Sequence, residues 1–173
     1  MKDRSKSMKF ESMAGITLKN WERISGDHQK KYRDFLARAS KNAVLKELPV
    51  LHQQAFEQID CLQCARCCKN YSPRFKPTDI KRISKFLKIT ETEFIKKYLR
   101  YDEDGDYVAV SLPCPMLGDD NRCMVYEERP SDCRRFPYTD EDVILKRPKL
   151  TQKNSSFCPI VVSVLEGLME KLK

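Results

Sequence analysis

The stretch CLQCARCC, residues 61 to 68, places four of the chain's eight cysteines within eight positions. So dense a set of thiols limits the fold before any helix or strand is considered. Three explanations compete: a buried apolar patch, disulfides, or a metal site. A bond between adjacent cysteines such as Cys67 and Cys68 would be strained, which weakens the disulfide explanation. Read as a helix, the segment puts Cys61, Cys64 and Cys68 on one face, with Cys67 a step around it. Read as a turn, each C-x-x-C pair points two sulfurs at one ion. Either geometry converges three or four sulfurs.

The other four cysteines are Cys114, Cys123, Cys133 and Cys158. Cys123 and Cys133 lie in loop-like sequence away from any apolar stripe, so core burial explains them poorly. Cys114 and Cys158 are each followed by proline, and Cys158 stands where the last helix is expected to begin. The backbone N–H groups and dipole at such a position favour a thiolate. Arg66, Arg74, Arg129, Arg134 and Arg135 lie near cysteines in sequence and are candidates to offset thiolate charge. All eight cysteines are therefore candidate metal ligands.

Sulfur ligation suits zinc or iron, including an iron–sulfur cluster, and not magnesium or calcium. Eight cysteines can complete two tetrahedral zinc sites. Equally, C-x-x-C-x-x-C with a remote Cys-Pro has the spacing of a ferredoxin-type arrangement, joining Cys61, Cys64 and Cys67 to Cys158. The only histidines, His28 and His52, fall outside the cluster, and His52 is at most a reserve ligand.

Thiols stay reduced in the cytoplasm, where clustered cysteines more often bind metal than form structural disulfides. A cytoplasmic location is the expectation here. No apolar run approaches the roughly 20 residues of a membrane span, and MKDRSKSMKFESM has no apolar region after its positive start. The formal charge of +8, from 33 Lys and Arg against 25 Asp and Glu, raises nucleic acid as a partner. That sum counts every thiol as neutral. Eight metal-bound thiolates would offset it, so the metal ion is the expected partner and nucleic acid a minor alternative.

At 173 residues the chain suits one ordinary domain. The pattern divides it into a polar segment over 1–26, a helical extension over 27–54, and a cysteine-cluster domain over 55–173 that ends in a helix. Asp27 is the expected N-cap of a helix carrying Tyr32, Phe35, Leu36, Ala39, Ala43 and Val44. Pro49 is expected to interrupt it, with a second helix over Val50 to Ile59. Ile80, Ile83, Phe86 and Leu87 mark a short amphipathic helix, and Thr90 with Glu93 forms a capping box for the next. DEDGD, 102 to 106, reads as a turn leading into a strand over YVAVSL. Residues 113 to 137 have too little periodicity to build their own core. The final helix presents Ile160, Val161, Val164, Leu165, Leu168, Met169 and Leu172 on one broad face. The expected fold class is mainly α with a small β element, a compact single domain stapled by cysteine-bound metal.

The combination of CLQCARCC, CPML at 114 to 117, CMVYEERPSDCRRFP at 123 to 137 and the Cys-Pro at 158 resembles the YkgJ-type cysteine-cluster proteins, a family described as chelating zinc or iron. The resemblance covers residues 55 to 160 and implies that all eight cysteines serve one metal-binding domain. Two departures stand out. Ala65 occupies a position where members often have glycine, and Ile160 follows the last Cys-Pro in place of glycine. If position 65 needs a positive φ, alanine is strained there.

The leading functional expectation is a metal-binding protein that chelates zinc or iron through cysteine thiolates, with binding favoured over catalysis. One alternative is a protein-modifying enzyme related to flagellin lysine methylases, which contain a similar cluster. Against it, the sequence has no G-x-G-x-x-G loop and no Cys–His pairing that spacing identifies. The other alternative is a zinc-dependent nucleic-acid module.

Overall fold

The computed structural model describes residues 15–173. Helix α1 (Trp21–Arg38) buries Trp21, Ser25, Tyr32 and Leu36, a spacing that keeps all four on one helical face. It begins six residues before the expected Asp27 cap, because Trp21 is itself buried at the first turn. Asp27 instead lies within the helix and pairs with Arg23 at 3.6 Å. The polar segment expected up to residue 26 is thus helical from Trp21, and its first fourteen residues lie outside the described ones.

The break between the first two helices falls at Ala39 and Ser40, both extended. Helix α2 (Lys41–Gln58) then runs through Pro49 without stopping, contrary to expectation. An interior proline costs about 3 kcal/mol. Burial of Val44, Leu48, Leu51 and Ala55 on the same helix offsets this, since each fully buried Val or Leu contributes about 1.5–3 kcal/mol.

What α2 packs against is the C-terminal helix α10 (Pro159–Lys171). Every residue from Pro159 to Leu165 is buried, so this helix is apolar nearly all round and must be enclosed. Helix α1 and helix α9 (Pro148–Ser155) enclose it further, with α8 (Val143–Lys146) packed beside α9. Together these elements form one apolar cluster.

A second cluster gathers Phe75, Ile80, Ile83, Phe94 and Leu99. It is built by α5 (Pro77–Leu87), α6 (Glu91–Tyr98) and an antiparallel pair, β1 (Leu99–Tyr101) with β2 (Tyr107–Ala109), in the register Leu99↔Ala109. Phe86, expected on the buried face of α5, is 51% exposed. The Thr90–Glu93 capping box is present: the Glu93 N–H donates to Thr90 Oγ1 at 3.2 Å, and the Thr90 N–H to Glu93 Oε2 at 2.8 Å. The acidic turn closes the hairpin, with Asp102 Oδ1 accepting from the N–H of Asp104 and Asp106 at 3.1 and 2.9 Å. The strand expected over YVAVSL is shorter than its sequence pattern, and β1 is an addition to it.

Residues 113–137 are anchored more firmly than their sequence pattern suggests. Met116 and Val125 insert into the second cluster, joined across a turn by the Leu117↔Cys123 bridge. Two apolar residues nine positions apart leave no periodic signal. The short helix α7 (Ser131–Arg135) follows. The expected class, mainly α with a small β element, is the one observed. No described helix is long and apolar enough to cross a membrane.

One buried carboxylate ties α5 to α7. Asp79 is fully enclosed and accepts from the Lys76 N–H at 3.2 Å, the Arg82 guanidinium at 2.9 Å, and the Ser131 N–H and hydroxyl at 3.2 and 3.0 Å. Burial pushes this carboxyl up, but these donors outweigh it and hold Asp79 below its ordinary range. Its stabilisation is present above the unfolded carboxyl value near 4 and is lost as pH falls through the lower folded value. Asp79→Ala is expected to cost about 3 kcal/mol at pH 7, since it strands several buried donors. Denaturant unfolding of both proteins checks this, and the difference between them should shrink at about pH 3.

Candidate metal centre

The cysteine motif folds as two short helices with a kink between them. Asp60 caps α3 (Cys61–Cys64), its carboxylate accepting from the Leu62 N–H at 2.8 Å. Ala65 then adopts a left-handed conformation, φ 46° and ψ 16°, before α4 (Arg66–Asn70) begins. The motif is therefore not one continuous helix, and the single face joining Cys61, Cys64 and Cys68 does not form. The left-handed turn is what a glycine would supply freely. A Cβ there costs about 1–2 kcal/mol, and the buried Ala65 methyl partly offsets it. Cys67 and Cys68 follow on α4, their sulfurs 3.9 Å apart.

The other four cysteines arrive from separate elements. Cys114 begins the turn after the hairpin, its N–H donating to the Cys68 carbonyl at 2.8 Å. Cys123 faces Leu117 across that turn. Cys133 sits on α7, and Cys158 is the residue before α10. These positions lie at the seam of the two apolar clusters: Cys158 belongs to the first, while Cys114 and Cys123 pack against the second.

Two adjoining cavities collect all eight. The larger, about 500 Å³, is lined by Cys61, Cys67, Cys68, Cys114, Cys123 and Cys133. The smaller, about 40 Å³, is lined by Cys61, Cys64, Cys67 and Cys158. All eight cysteines are free thiols. Among the described residues, no three Cys, His, Asp or Glu side chains are grouped tightly enough to hold an ion as they stand. The fold brings the sulfurs to shared spaces without closing a coordination shell, so stapling by metal is not a feature of the structure itself.

The chemistry of the donors fits a soft metal. Burial pushes the Cys61 thiol up to about 11, and it also raises Cys64, Cys114, Cys123, Cys133 and Cys158. At Cys158 burial defeats the thiolate-favouring helix start expected from sequence. Against burial stand backbone N–H groups from two or three residues further on: Arg66 toward Cys64, Met116 toward Cys114, Val125 toward Cys123, and Val161 and Ile160 toward Cys158. Such donors stabilise the charged form of a ligand and orient it. Within the vicinal pair, the hydrogen bond from Cys68 lowers Cys67, while Cys67 raises its neighbour.

Of the five arginines near cysteines in sequence, Arg129 is the one placed to serve several of them. It lines the larger cavity, and its charge acts on Cys61, Cys67, Cys123 and Cys133. Its guanidinium lies over the Tyr126 ring at 4.0 Å, and its buried Nε has no hydrogen-bond partner among the described residues. Arg66 acts on Cys64 and pairs with Glu22. Arg74 engages Asp106 and Asp132, Arg134 the Arg129 carbonyl, and Arg135 Glu141. His52 is no reserve ligand, since it meets Thr139 Oγ1 at 2.9 Å and lines neither cavity. His28 contacts Glu166 at 2.6 Å.

Sequence reasoning missed an aromatic stack. Tyr71, Phe136 and Phe157 lie pairwise 5.9 to 6.0 Å apart and near parallel, with Phe136 lining both cavities. The available signal was that each stands within three residues of a cysteine. Asp79 and the buried Asp132, which accepts from Arg74 at 3.5 Å, left no signal that separated them from surface acids.

The model of a family described as CxxCxxCC, "Putative zinc- or iron-chelating domain", matches residues 60–159, more than half of the chain. The chain belongs to that family. The matched span begins beside Cys61 and ends just after Cys158, so it takes in every cysteine. An uncharacterized protein of Methanocaldococcus jannaschii, MJ0661, is 32% identical over 94 residues, covering 53% of this chain and 49% of that protein. The chain thus spans about half the length of this curated relative. No solved structure matches it.

Loss of a charged neighbour of metal-binding groups typically weakens affinity 10- to 100-fold. Arg129→Ala is expected to weaken zinc or iron retention by about 10-fold, while Arg134→Ala changes it little. Competition against a chelator of known affinity gives both values.

Proposed function

We propose that this family member binds zinc or iron through the thiolates of Cys61, Cys64, Cys67, Cys68, Cys114, Cys123, Cys133 and Cys158, in the reducing cytoplasm, and that the metal staples its loop-rich segments. The observation that carries the reading is the gathering of all eight thiols around two adjoining cavities. Disulfide formation and core burial would not require such convergence. Iron would be held as bound ions or as an iron–sulfur cluster, both of which four-cysteine ligation supports.

Metal would add folding energy to an already anchored scaffold. Structural zinc contributes on the order of 10 kcal/mol in small domains, comparable to the 5–15 kcal/mol net stability of a typical domain. Met116 and Val125 hold part of the 113–137 segment by apolar burial, so chelation should loosen the cysteine-bearing turns and leave α10 in place. Limited proteolysis and circular dichroism before and after metal removal should show new cleavage in that segment with little loss of helix.

Anaerobic purification followed by elemental analysis and an absorption spectrum tests the reading. The expected result is bound zinc with a colourless protein, or bound iron with a brown protein and acid-labile sulfide if a cluster is present. A protein free of both metals, or one whose native cysteines are cross-linked in cytosolic extracts, overturns it.

A second reading, a protein-modifying enzyme related to flagellin lysine methylases, draws support from the size of the larger cavity. About 500 Å³ falls within the range of small-molecule sites, and its walls include Tyr71, Phe75 and Phe136. Calorimetric binding of S-adenosylmethionine would favour this reading, and its absence would remove it.

A further inference from the structure

The eight sulfurs are not distributed evenly between the two cavities. Cys64 and Cys158 line only the smaller one. Cys68, Cys114, Cys123 and Cys133 line only the larger one. Cys61 and Cys67 stand in the wall common to both, together with Phe136 and Ala65. We infer that the chain carries two separate four-cysteine centres, Cys61/Cys64/Cys67/Cys158 and Cys68/Cys114/Cys123/Cys133. This inference rests on the chelation reading above.

Ligand arithmetic supports the division. A tetrahedral thiolate site needs four sulfurs. The four confined to the larger cavity make one complete set, and the remaining four all line the smaller cavity. No cysteine is left over, and none has to serve twice.

Backbone links follow the partition too, since the Cys114 N–H bonds to the Cys68 carbonyl. The vicinal cysteines thereby gain a purpose: a single motif supplies three ligands to one centre through Cys61, Cys64 and Cys67, and starts the other with Cys68.

Anaerobic titration of the metal-free full chain with Co²⁺ alone tests the inference. Two equivalents are expected, each with the intense sulfur-to-cobalt absorption of tetrathiolate ligation. Cys123→Ser and Cys64→Ser should each leave one equivalent bound in that form. Saturation of the wild-type chain by one equivalent overturns the division without touching the chelation reading. A wild-type chain that binds no Co²⁺ through sulfur overturns both. The stoichiometry is read on the wild type, so it decides the matter even if a variant fails to fold.

Discussion

Burial of eight thiols beside one another is the constraint on which the chemistry of this site turns. Burial raises the pKa of Cys61, Cys64, Cys114, Cys123, Cys133 and Cys158. A charge on Cys67 raises each of these, and Cys68, further, so in the metal-free chain most of the cluster stays neutral. A bound cation reverses that balance: it compensates the charge which burial penalises, and it does so most strongly where the sulfurs are driest. The backbone N–H groups aimed at Cys64, Cys114, Cys123 and Cys158 and the charge of Arg129 complete the compensation. They contribute little to neutral thiols and much to thiolates.

The scaffold places these groups by means that do not depend on sulfur. Helix α10 is enclosed by α1, α2 and α9 and carries Cys158 at its start. The hairpin with α5 and α6 forms a second apolar cluster that receives Met116 and Val125 from the turn carrying Cys114 and Cys123. Asp79 fastens α5 to the start of α7, which bears Cys133. The CxxCxxCC motif lies between these two bodies. Its two helices meet at a left-handed Ala65, with Cys61 and Cys67 lining both cavities, Cys64 the smaller and Cys68 the larger.

Much of this was legible in the residues. The eight cysteines, the amphipathic and capped helices, the acidic turn and the glycine-like position of Ala65 each carry a local signature: a spacing, a capping box, or a departure from a motif. What was not legible depends on tertiary contact. Trp21 starts α1 early because it has a buried place to go, and Pro49 is tolerated because α2 has α10 to lie against. Met116 and Val125 are nine residues apart and periodic with nothing, yet both are core. The helix start does favour a Cys158 thiolate through backbone N–H groups, but the burial of this residue, which only tertiary contact creates, is the larger effect. Asp79 resembles any surface acid until Ser131, 52 positions away, is brought to it.

The central claim is that sulfur, and sulfur alone, holds the metal. X-ray absorption at the edge of whichever metal the purified chain carries measures this directly. The account predicts a shell of about four sulfur atoms per ion, at about 2.3 Å if the metal is zinc, with no nitrogen or oxygen in it. A first shell that contains nitrogen or oxygen would contradict the claim that sulfur alone holds the metal.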